Sequence, residues 1–394
     1  MQIKRVYIGG WFQRTTLHLS EIYDFLRDGY SSLELDKNKL KELQKNLDIE
    51  STELKVDSLE HIEMVSKNGI SLKIHEDGLI VLRRDYGTGD DVAADIKILT
   101  EYYEKKLSPA FSYLFSLGAP VPKELANIKT VYPYFVVVED AAKEEISGLL
   151  EKFQEKKYFE VIGGRFDLFR GDKFYVINMK EEDVGHSERF IEEQIFLREF
   201  KGQLHRYLNL HRIIWERIAQ IKERGTIRGG EVGGFRDKAQ GYAKTINLIE
   251  ARINQMGTYL HTRERIVKSD ENLKSFLGLL EYRYETLGDT LAYLQQLWTM
   301  TKNYVNFSLD LFKSLQDQAT QNSIKNLTVV TSIGVGGTLL ALLLKTDVPH
   351  VTAIGVAYLL GMLLFAYGSD KLIKWFYIRK SYEVSDIDYD KNIK

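Results

Sequence analysis

Two long stretches without a charged side chain lie close together near the end of the sequence. They cover residues 327–344 and 351–368, and only 345–350 separates them. Each stretch is about 18 residues long, which is the short end of what spans a ~30 Å hydrocarbon layer. A pair of buried core helices is the alternative, but two uncharged stretches so close together are hard to hide in one soluble core. The pattern predicts two transmembrane helices, 327–344 and 351–368, joined by an external loop, 345–350.

Positive charge flanks the two stretches on one side. Lys325 precedes the first, and four cations follow the second: Lys371, Lys374, Arg379 and Lys380. Cytoplasmic flanks of membrane helices are enriched in Lys and Arg, and two spans return the chain to its starting side. The first residues also lack the apolar core of a signal peptide. We therefore expect a multi-pass protein of the cytoplasmic membrane, in contact with lipid, with both termini in the cytosol.

The rest of the chain predicts an α+β domain followed by long helices. Strand and helix signals alternate through 1–185, and Asn68-Gly69 and Asp77-Gly78 separate alternating strands as hairpin turns do. Helical periodicity then predicts a helical hairpin at 186–268 and a stalk helix at 269–326, and 369–394 forms a basic cytosolic tail. The predicted fold class is an α+β cytosolic domain, a helical stalk and two transmembrane helices, assembled as a homo-oligomeric funnel.

The stalk carries the argument for assembly. Its apolar residues recur at spacings of three and four from Leu273 to Leu297, and no proline follows before Pro349. So long an apolar stripe is stable only when several helices pack side by side. The alternative is a helix break near Asn303 or within 316–322.

Several classes of function are excluded by composition. The net charge of −2 gives no reason to expect direct nucleic-acid binding, and the absence of cysteine removes thiolate metal sites. The eight histidines show no metal-binding or catalytic spacing, and phosphate-loop and dinucleotide motifs are missing. We expect no enzyme, no catalytic residue and no covalently bound cofactor. The glycine pairs Gly9-Gly10 and Gly163-Gly164 follow predicted strands and indicate turns, with a ligand-binding role as the alternative.

The segment leading into the first stretch resembles the CorA-type divalent-cation transporters. The similarity lies in 304–316, YVNFSLDLFKSLQ, and in 322–333, NSIKNLTVVTSI, with the tail at 371–380. The resemblance implies a pentamer whose stalk helices surround a central pore for ions. It also implies pore-lining positions on the first span: Ile324, Leu327, Thr331, Val335, Thr338 and Leu342. Packing against neighbouring helices is the alternative role of that stripe.

The chain departs from this family at the external mouth. Lys345, Thr346 and Asp347 stand where the family has the Gly-Met-Asn signature that selects hydrated magnesium. A lysine ring repels cations unless the adjacent aspartates offset it. Magnesium selectivity is therefore not carried over to this chain.

The sequence allows more than one gating ligand. Three arginines interleave with glycines in the linker between helices, Arg224, Arg228 and Arg236, and such a segment suits a phosphate-bearing ligand or is simply a mobile hairpin. The acidic runs at 90–91 and 181–183 are candidates for a divalent cation such as magnesium, or are solvated surface. CorA-like proteins without the signature also occur beside type III CRISPR systems, which implies a nucleotide second messenger as activator. Three functions follow: an ion transporter, a ligand-gated membrane effector, or a membrane-anchored scaffold without a pore.

Overall fold

The computed structural model describes residues 1–12, 18–56, 59–86, 91–115, 134–163, 166–179, 184–222 and 226–343, with single residues and short stretches between 357 and 383. Contacts divide the chain into two compact units. The first unit comprises Met1–Asn209 and Leu248–Gln296, and the second comprises Leu210–Asn247 and Leu297–Lys394. Each of the three long helices that the structure describes therefore contributes residues to both units.

The first unit is built on a nine-stranded sheet. Its strands are β1 Gln2–Trp11, β2 Ile49–Lys55, β3 His61–Ser66, β4 Ile70–His75, β5 Leu79–Asp85, β6 Tyr134–Glu139, β7 Phe159–Ile162, β8 Phe166–Arg170 and β9 Phe174–Met179. They pair in the order β2-β3-β4-β5-β1-β6-β9-β8-β7. Every pairing is antiparallel except that of β6 with β9. The parallel pair needs a crossover, and this connection contains a helix.

The two predicted hairpin turns are confirmed. Gly69 and Gly78 have φ angles of 72° and 93°, a region that only glycine enters without strain. Gly69 donates its backbone N–H to the carbonyl of Ser66, and Gly78 donates to that of His75, each at 2.9 Å. The turns fix the register of β3, β4 and β5, and so decide which side chains of each strand face the core.

Five short helices cover one face of the sheet. They are α1 Leu19–Asp28, α2 Lys37–Asn46, α3 Val92–Tyr102, α4 Ser108–Leu114 and α5 Lys143–Lys152, with a π-helical turn at Tyr103–Leu107 between α3 and α4. Strand β1 shows how the sheet divides its side chains. Val6 and Ile8 belong to the core under these helices, whereas the alternate residue Trp11 contacts Phe196 and Phe200 on the opposite face. The α+β character predicted for the N-terminal part of the chain is confirmed.

Three long helices follow the sheet. They are α6 Val184–Lys222, α7 Val232–Ser269 and α8 Leu277–Leu343, and a 3-10 turn at Glu271–Phe276 precedes α8. The first part of α6 closes the second face of the sheet with Phe190, Ile195 and Phe196, all fully buried. The helix α8 continues without interruption through Asn303 and 316–322, so the alternative of a helix break at these positions does not apply.

The second unit has a small core of its own. Strand β10 Thr226–Arg228 pairs with β11 Ser381–Glu383, and a 3-10 turn at Gly229–Glu231 leads into α7. Ile227, Val232 and Phe235 pack with Phe312 of α8 in a buried cluster. The reading of the glycine-rich linker as a mobile hairpin is wrong for 226–236. Its apolar side chains alternate with the glycines and anchor it.

The prediction that Gly9-Gly10 forms a turn after a strand is also wrong. Both residues lie inside β1, not after it. A Cβ atom on Gly9 would stand 2.5 Å from the carbonyl oxygen of Ile80 and 2.9 Å from Cδ1 of Ile195. Glycine is needed there because the neighbouring strand and the helix α6 approach the backbone closely. Gly163 does follow β7, and Gly164 lies outside the described residues.

Candidate functional site

A network of buried charges joins the sheet to the helices inside the first unit. The guanidinium of Arg263 on α7 donates from Nη1 to Oε1 of Glu193 at 2.9 Å and from Nη2 to Oδ1 of Asp77 at 3.1 Å. The Tyr284 hydroxyl donates to the second oxygen of Glu193. All four side chains are buried. Because its donors and acceptors are used within the protein, this network locks the fold and leaves little for a substrate.

The environment sets the charge of each member. Burial opposes the charged forms of Asp77 and Arg263, but their mutual attraction outweighs it, lowering the pKa of Asp77 and raising that of Arg263. Burial raises the pKa of Glu193, and the charges of Glu192 and Asp77 add to this, although Arg263 opposes it. The firmly ionised pair is therefore Arg263 with Asp77, where two hydrogen bonds reinforce the attraction.

A second buried group lies beside this network. Lys73 Nζ binds Oε1 of Glu192 at 2.7 Å, and His75 Nε2 lies 3.4 Å from Oε2 of the same carboxylate without forming a hydrogen bond. The His61 ring is 5.4 Å from the His75 ring, centroid to centroid. Burial lowers the pKa of His75 despite the nearby Glu192. Within the described residues, no three His, Asp or Glu side chains are arranged to hold a metal ion.

An open pocket of about 450 Å³ lies at the other end of the sheet. Its walls come from the strands β7, β8 and β9, the turn before β9, and the helices α6 and α8. We call it the arginine–aromatic pocket, and it is lined by Tyr158, Phe159, Leu168, Arg170, Gly171, Asp172, Tyr175, Gln194, Leu279, Tyr282 and Arg283. All of these residues belong to the first unit. None of these residues is predicted as a site residue from the sequence.

The two arginines of this pocket, Arg170 and Arg283, have neutral side chains as their described partners. The Arg283 guanidinium donates to the side-chain oxygen of Gln194. Burial lowers the pKa of Arg283, and the neighbouring cations Arg170 and Arg198 lower it further, although Tyr175 and Tyr284 act in the opposite direction. The Arg170 guanidinium lies 5.4 Å from the centroid of the Tyr175 ring. Among the described residues, neither Arg170 nor Arg283 forms an ion pair.

The predicted pore stripe lies on the last turns of α8. Ile324, Leu327 and Val335 are exposed to 58%, 61% and 54%, and Thr331 and Thr338 are exposed as well. Leu342 is helical, and its side chain lies outside the described residues, as do Lys345, Thr346 and Asp347 of the predicted mouth. Within the part of the chain that the structure describes, no helix has both the length and the hydropathy required to cross a membrane.

The threonines of this stripe share one arrangement. The Thr338 hydroxyl donates to the carbonyl of Gly334 at 2.8 Å. Thr331 donates to Leu327 in the same way. Each hydroxyl hydrogen is thus used within the helix, and the lone pairs of the oxygen remain for whatever lies outside it.

The structure describes two of the three arginines that are predicted to bind a phosphate. Arg228 lies in β10, and its backbone N–H donates to Glu231 at 3.2 Å. Arg236 Nη1 donates to Oε1 of Gln316 at 2.6 Å. Arg224 lies outside the described residues. Binding of a phosphate by these three arginines stays a prediction.

Of the acidic residues predicted as candidates for a metal site, the structure describes only Asp91. Asp91 pairs with Lys152 at 2.9 Å, and this hydrogen bond lowers the pKa of Asp91. Asp90 and 181–183 lie outside the described residues. The single pair explains Asp91 as part of a surface ion pair, which usually contributes little to stability.

The class of molecule defined so far is an α+β sheet domain followed by three long helices. No family model matches the sequence, and no curated protein matches it either. Among solved structures, the CorA magnesium transporter from Methanocaldococcus jannaschii is similar at 10% sequence identity and a TM-score of 0.29, over 64% of this chain and 91% of that one. A TM-score this low supports no conclusion about the present chain.

Proposed function

We propose that this chain is one subunit of an oligomeric, CorA-like membrane channel that conducts ions and is gated by its N-terminal sheet domain. The observation that carries the proposal is the helix α8. It runs unbroken from Leu277 to Leu343, and it leaves Ile324, Leu327 and Val335 more than half exposed in the single chain. Exposed apolar side chains on a long helix indicate that another protein surface or lipid covers them. The uncharged stretches 327–344 and 351–368 with their basic flanks favour lipid around an oligomer.

The threonine arrangement supports cations as the permeating species. Because their hydroxyl hydrogens are bonded to the helix, Thr331 and Thr338 present oxygen lone pairs outward. Around the axis of an oligomer these positions form rings of hydrogen-bond acceptors, and such rings replace part of the water shell of a cation. Leu327, between the threonines and the sheet domain, is the proposed hydrophobic constriction.

Ion flux through liposomes containing the purified full chain tests this proposal. Thr331→Trp places a large ring on the stripe, whereas Ser332→Trp places the same ring one residue on, turned by about 100° around the helix. We expect flux from the native chain, block by Thr331→Trp, and little change with Ser332→Trp. Equal block by both variants, or no flux from correctly inserted native protein either with or without added nucleotides, would refute the channel and leave the membrane scaffold.

Ligand gating is the second candidate function. The observation that favours it is the arginine–aromatic pocket, which lies in the first unit and contains cationic side chains without carboxylate partners. A role beside a type III CRISPR system stays a prediction from the family resemblance.

A further inference from the structure

The arginine–aromatic pocket has features that its contribution to the fold does not explain. A structural arginine is normally compensated when it loses water, as Arg263 is by two carboxylates. Arg283 is half-buried, and its described hydrogen bond is to the neutral amide of Gln194. Its charged neighbours, Arg170 and Arg198, carry the same sign. A site with this balance of charge attracts an anion.

The carboxylates near the pocket do not cancel this field. Glu155 accepts the backbone N–H groups of Asp172 at 2.5 Å and of Lys173 at 2.9 Å, so its charge is used in the turn before β9. Asp172 is the single carboxylate among the lining residues, and it is exposed, where solvent screens its charge. Neither carboxylate is an ion-pair partner of Arg170 or Arg283 among the described residues, so these two guanidinium groups remain for an anionic ligand.

Aromatic side chains surround the same opening. Tyr158, Phe159 and Tyr282 are exposed to 64%, 40% and 69% although all three are large. Three exposed aromatic rings around one pocket provide flat surfaces on which a planar ring can stack. An Arg pair beside aromatic surfaces is suited to a molecule with both a phosphate and a ring. The volume of about 450 Å³ lies within the usual range for small-ligand sites.

We propose that the arginine–aromatic pocket binds a nucleotide, with its phosphate on Arg170 and Arg283 and its base against Tyr158, Phe159 and Tyr282. The binding itself is independent of the channel, and only its effect on ion flux rests on the proposed function. The helix α8 begins at Leu277 and contributes Leu279, Tyr282 and Arg283 to the pocket. A bound nucleotide therefore contacts the same helix that carries the proposed pore stripe.

Equilibrium dialysis of the full chain in detergent tests the pocket directly. The ligands are the four ribonucleoside 5′-monophosphates, the four nucleosides and inorganic phosphate. We expect at least one nucleotide to bind more tightly than its nucleoside and than phosphate. Arg170→Met and Arg283→Met should each weaken that binding about tenfold or more, the usual loss for a hydrogen bond to a charged group. Tyr282→Ala should weaken nucleotide binding and leave phosphate binding unchanged.

Arg27→Met is the matched control, because it removes the same charge from an exposed arginine that pairs with Asp28. It should bind as the native chain does. The exposed Tyr282 and the half-buried Arg170 keep the test valid if Arg283→Met does not fold. Absence of nucleotide binding up to about 1 mM, binding of phosphate without preference for a nucleotide, or nucleotide binding by Arg170→Met and Tyr282→Ala as tight as that of the native chain would each overturn the proposal.

Flux measurements separate the two proposals. Nucleotide binding with no ion flux from the native protein, whether the nucleotide is bound or absent, would sustain the pocket and refute the channel. Flux without nucleotide binding would sustain the channel and refute the pocket. If both hold, the bound nucleotide should change the flux of the native chain and leave that of Arg170→Met unaltered.

Discussion

Arg263 and Asp77 lie 186 residues apart in the sequence and form a two-bonded ion pair with almost no exposed surface. Arg263→Met leaves Asp77 and Glu193 buried without their cation. We expect a loss of about 3–5 kcal/mol in the free energy of unfolding, as for other buried pairs that lose one partner. Urea unfolding followed by tryptophan fluorescence measures it, and Trp11 reports on this region because its ring contacts Phe196, on which Arg263 also packs. A change no larger than that of exposed Arg27→Met would contradict the expectation.

The stability of the first unit should decrease as the pH falls below neutrality. Burial lowers the pKa of His75, so the folded state resists a proton that the unfolded chain accepts near pH 6.5. The unfolded state then binds more protons, and stability rises with pH across this range. The groups around the ring are Glu192, Asp77, Arg263 and His61.

The melting temperature between about pH 5 and about pH 7.5 checks this dependence. The raised pKa of Glu193 acts in the opposite direction, so the contribution of the histidine is taken from the difference between the native chain and His75→Phe. His75→Phe should flatten the slope. His261→Gln removes an exposed histidine and should leave the slope unchanged. An identical slope in His75→Phe and the native chain would show that another group is responsible.

Two glycine-to-alanine substitutions should act in opposite directions. Gly9→Ala forces a methyl group against the Ile80 carbonyl and Ile195, at a cost of about 1–3 kcal/mol. Gly148 lies within α5 and its missing side chain would meet nothing within 4 Å. Gly148→Ala should therefore stabilise the chain by roughly 0.5–1 kcal/mol through helix propensity. Thermal unfolding of both variants tests the assignment, and a neutral Gly9→Ala would show that the neighbours move aside.

Divalent-cation flux should depend on the two charges of the proposed mouth. One like-charge contact at ~4 Å and an effective dielectric constant of ~20 costs about 4 kcal/mol. Lys345→Asn should therefore raise divalent flux in liposomes, and Asp347→Asn should lower it. If neither variant alters flux or ion preference, 345–347 is not the mouth.

Cysteine labelling tests the proposed topology, because the chain contains no cysteine of its own. Single cysteines at Thr346 and Ser381 should differ in their reaction with an impermeant maleimide added outside intact cells. We expect labelling at position 346 alone. Equal labelling at both positions would reject the arrangement of two spans with cytosolic termini.

Local patterns were sufficient to predict much of the sheet domain. The strands β3, β4 and β5 follow from the turn residues Gly69 and Gly78, whose backbone geometry is a property of a few neighbouring residues. The helix α2 and the edge strand β2 were missed. The helix buries only Leu40 and the strand buries no side chain fully, so their hydrophobic periodicity is weak.

The sites were not predictable in the same way. Arg263, Asp77 and Glu193 come from a helix, a turn and another helix, and nothing near any of them in the sequence marks the pairing. Arg170 and Arg283 meet at one pocket only because β8 and α8 are brought together by the fold. The sequence does show charged residues at positions that face the core. Such a residue predicts a buried charge, but it does not show which other residue pairs with it.

The distance in sequence between Asp77 and Arg263 also sets an order of events during synthesis. A ribosome adding about 5–20 residues per second needs roughly ten to forty seconds to proceed from one to the other. The last strand of the sheet ends at Met179, well before Arg263 has been made. Throughout that interval Arg263 is not yet available to pair with the Asp77 carboxylate, so the carboxylate stays hydrated. The nascent sheet therefore reaches its final packing only after the second half of α7 has left the ribosome.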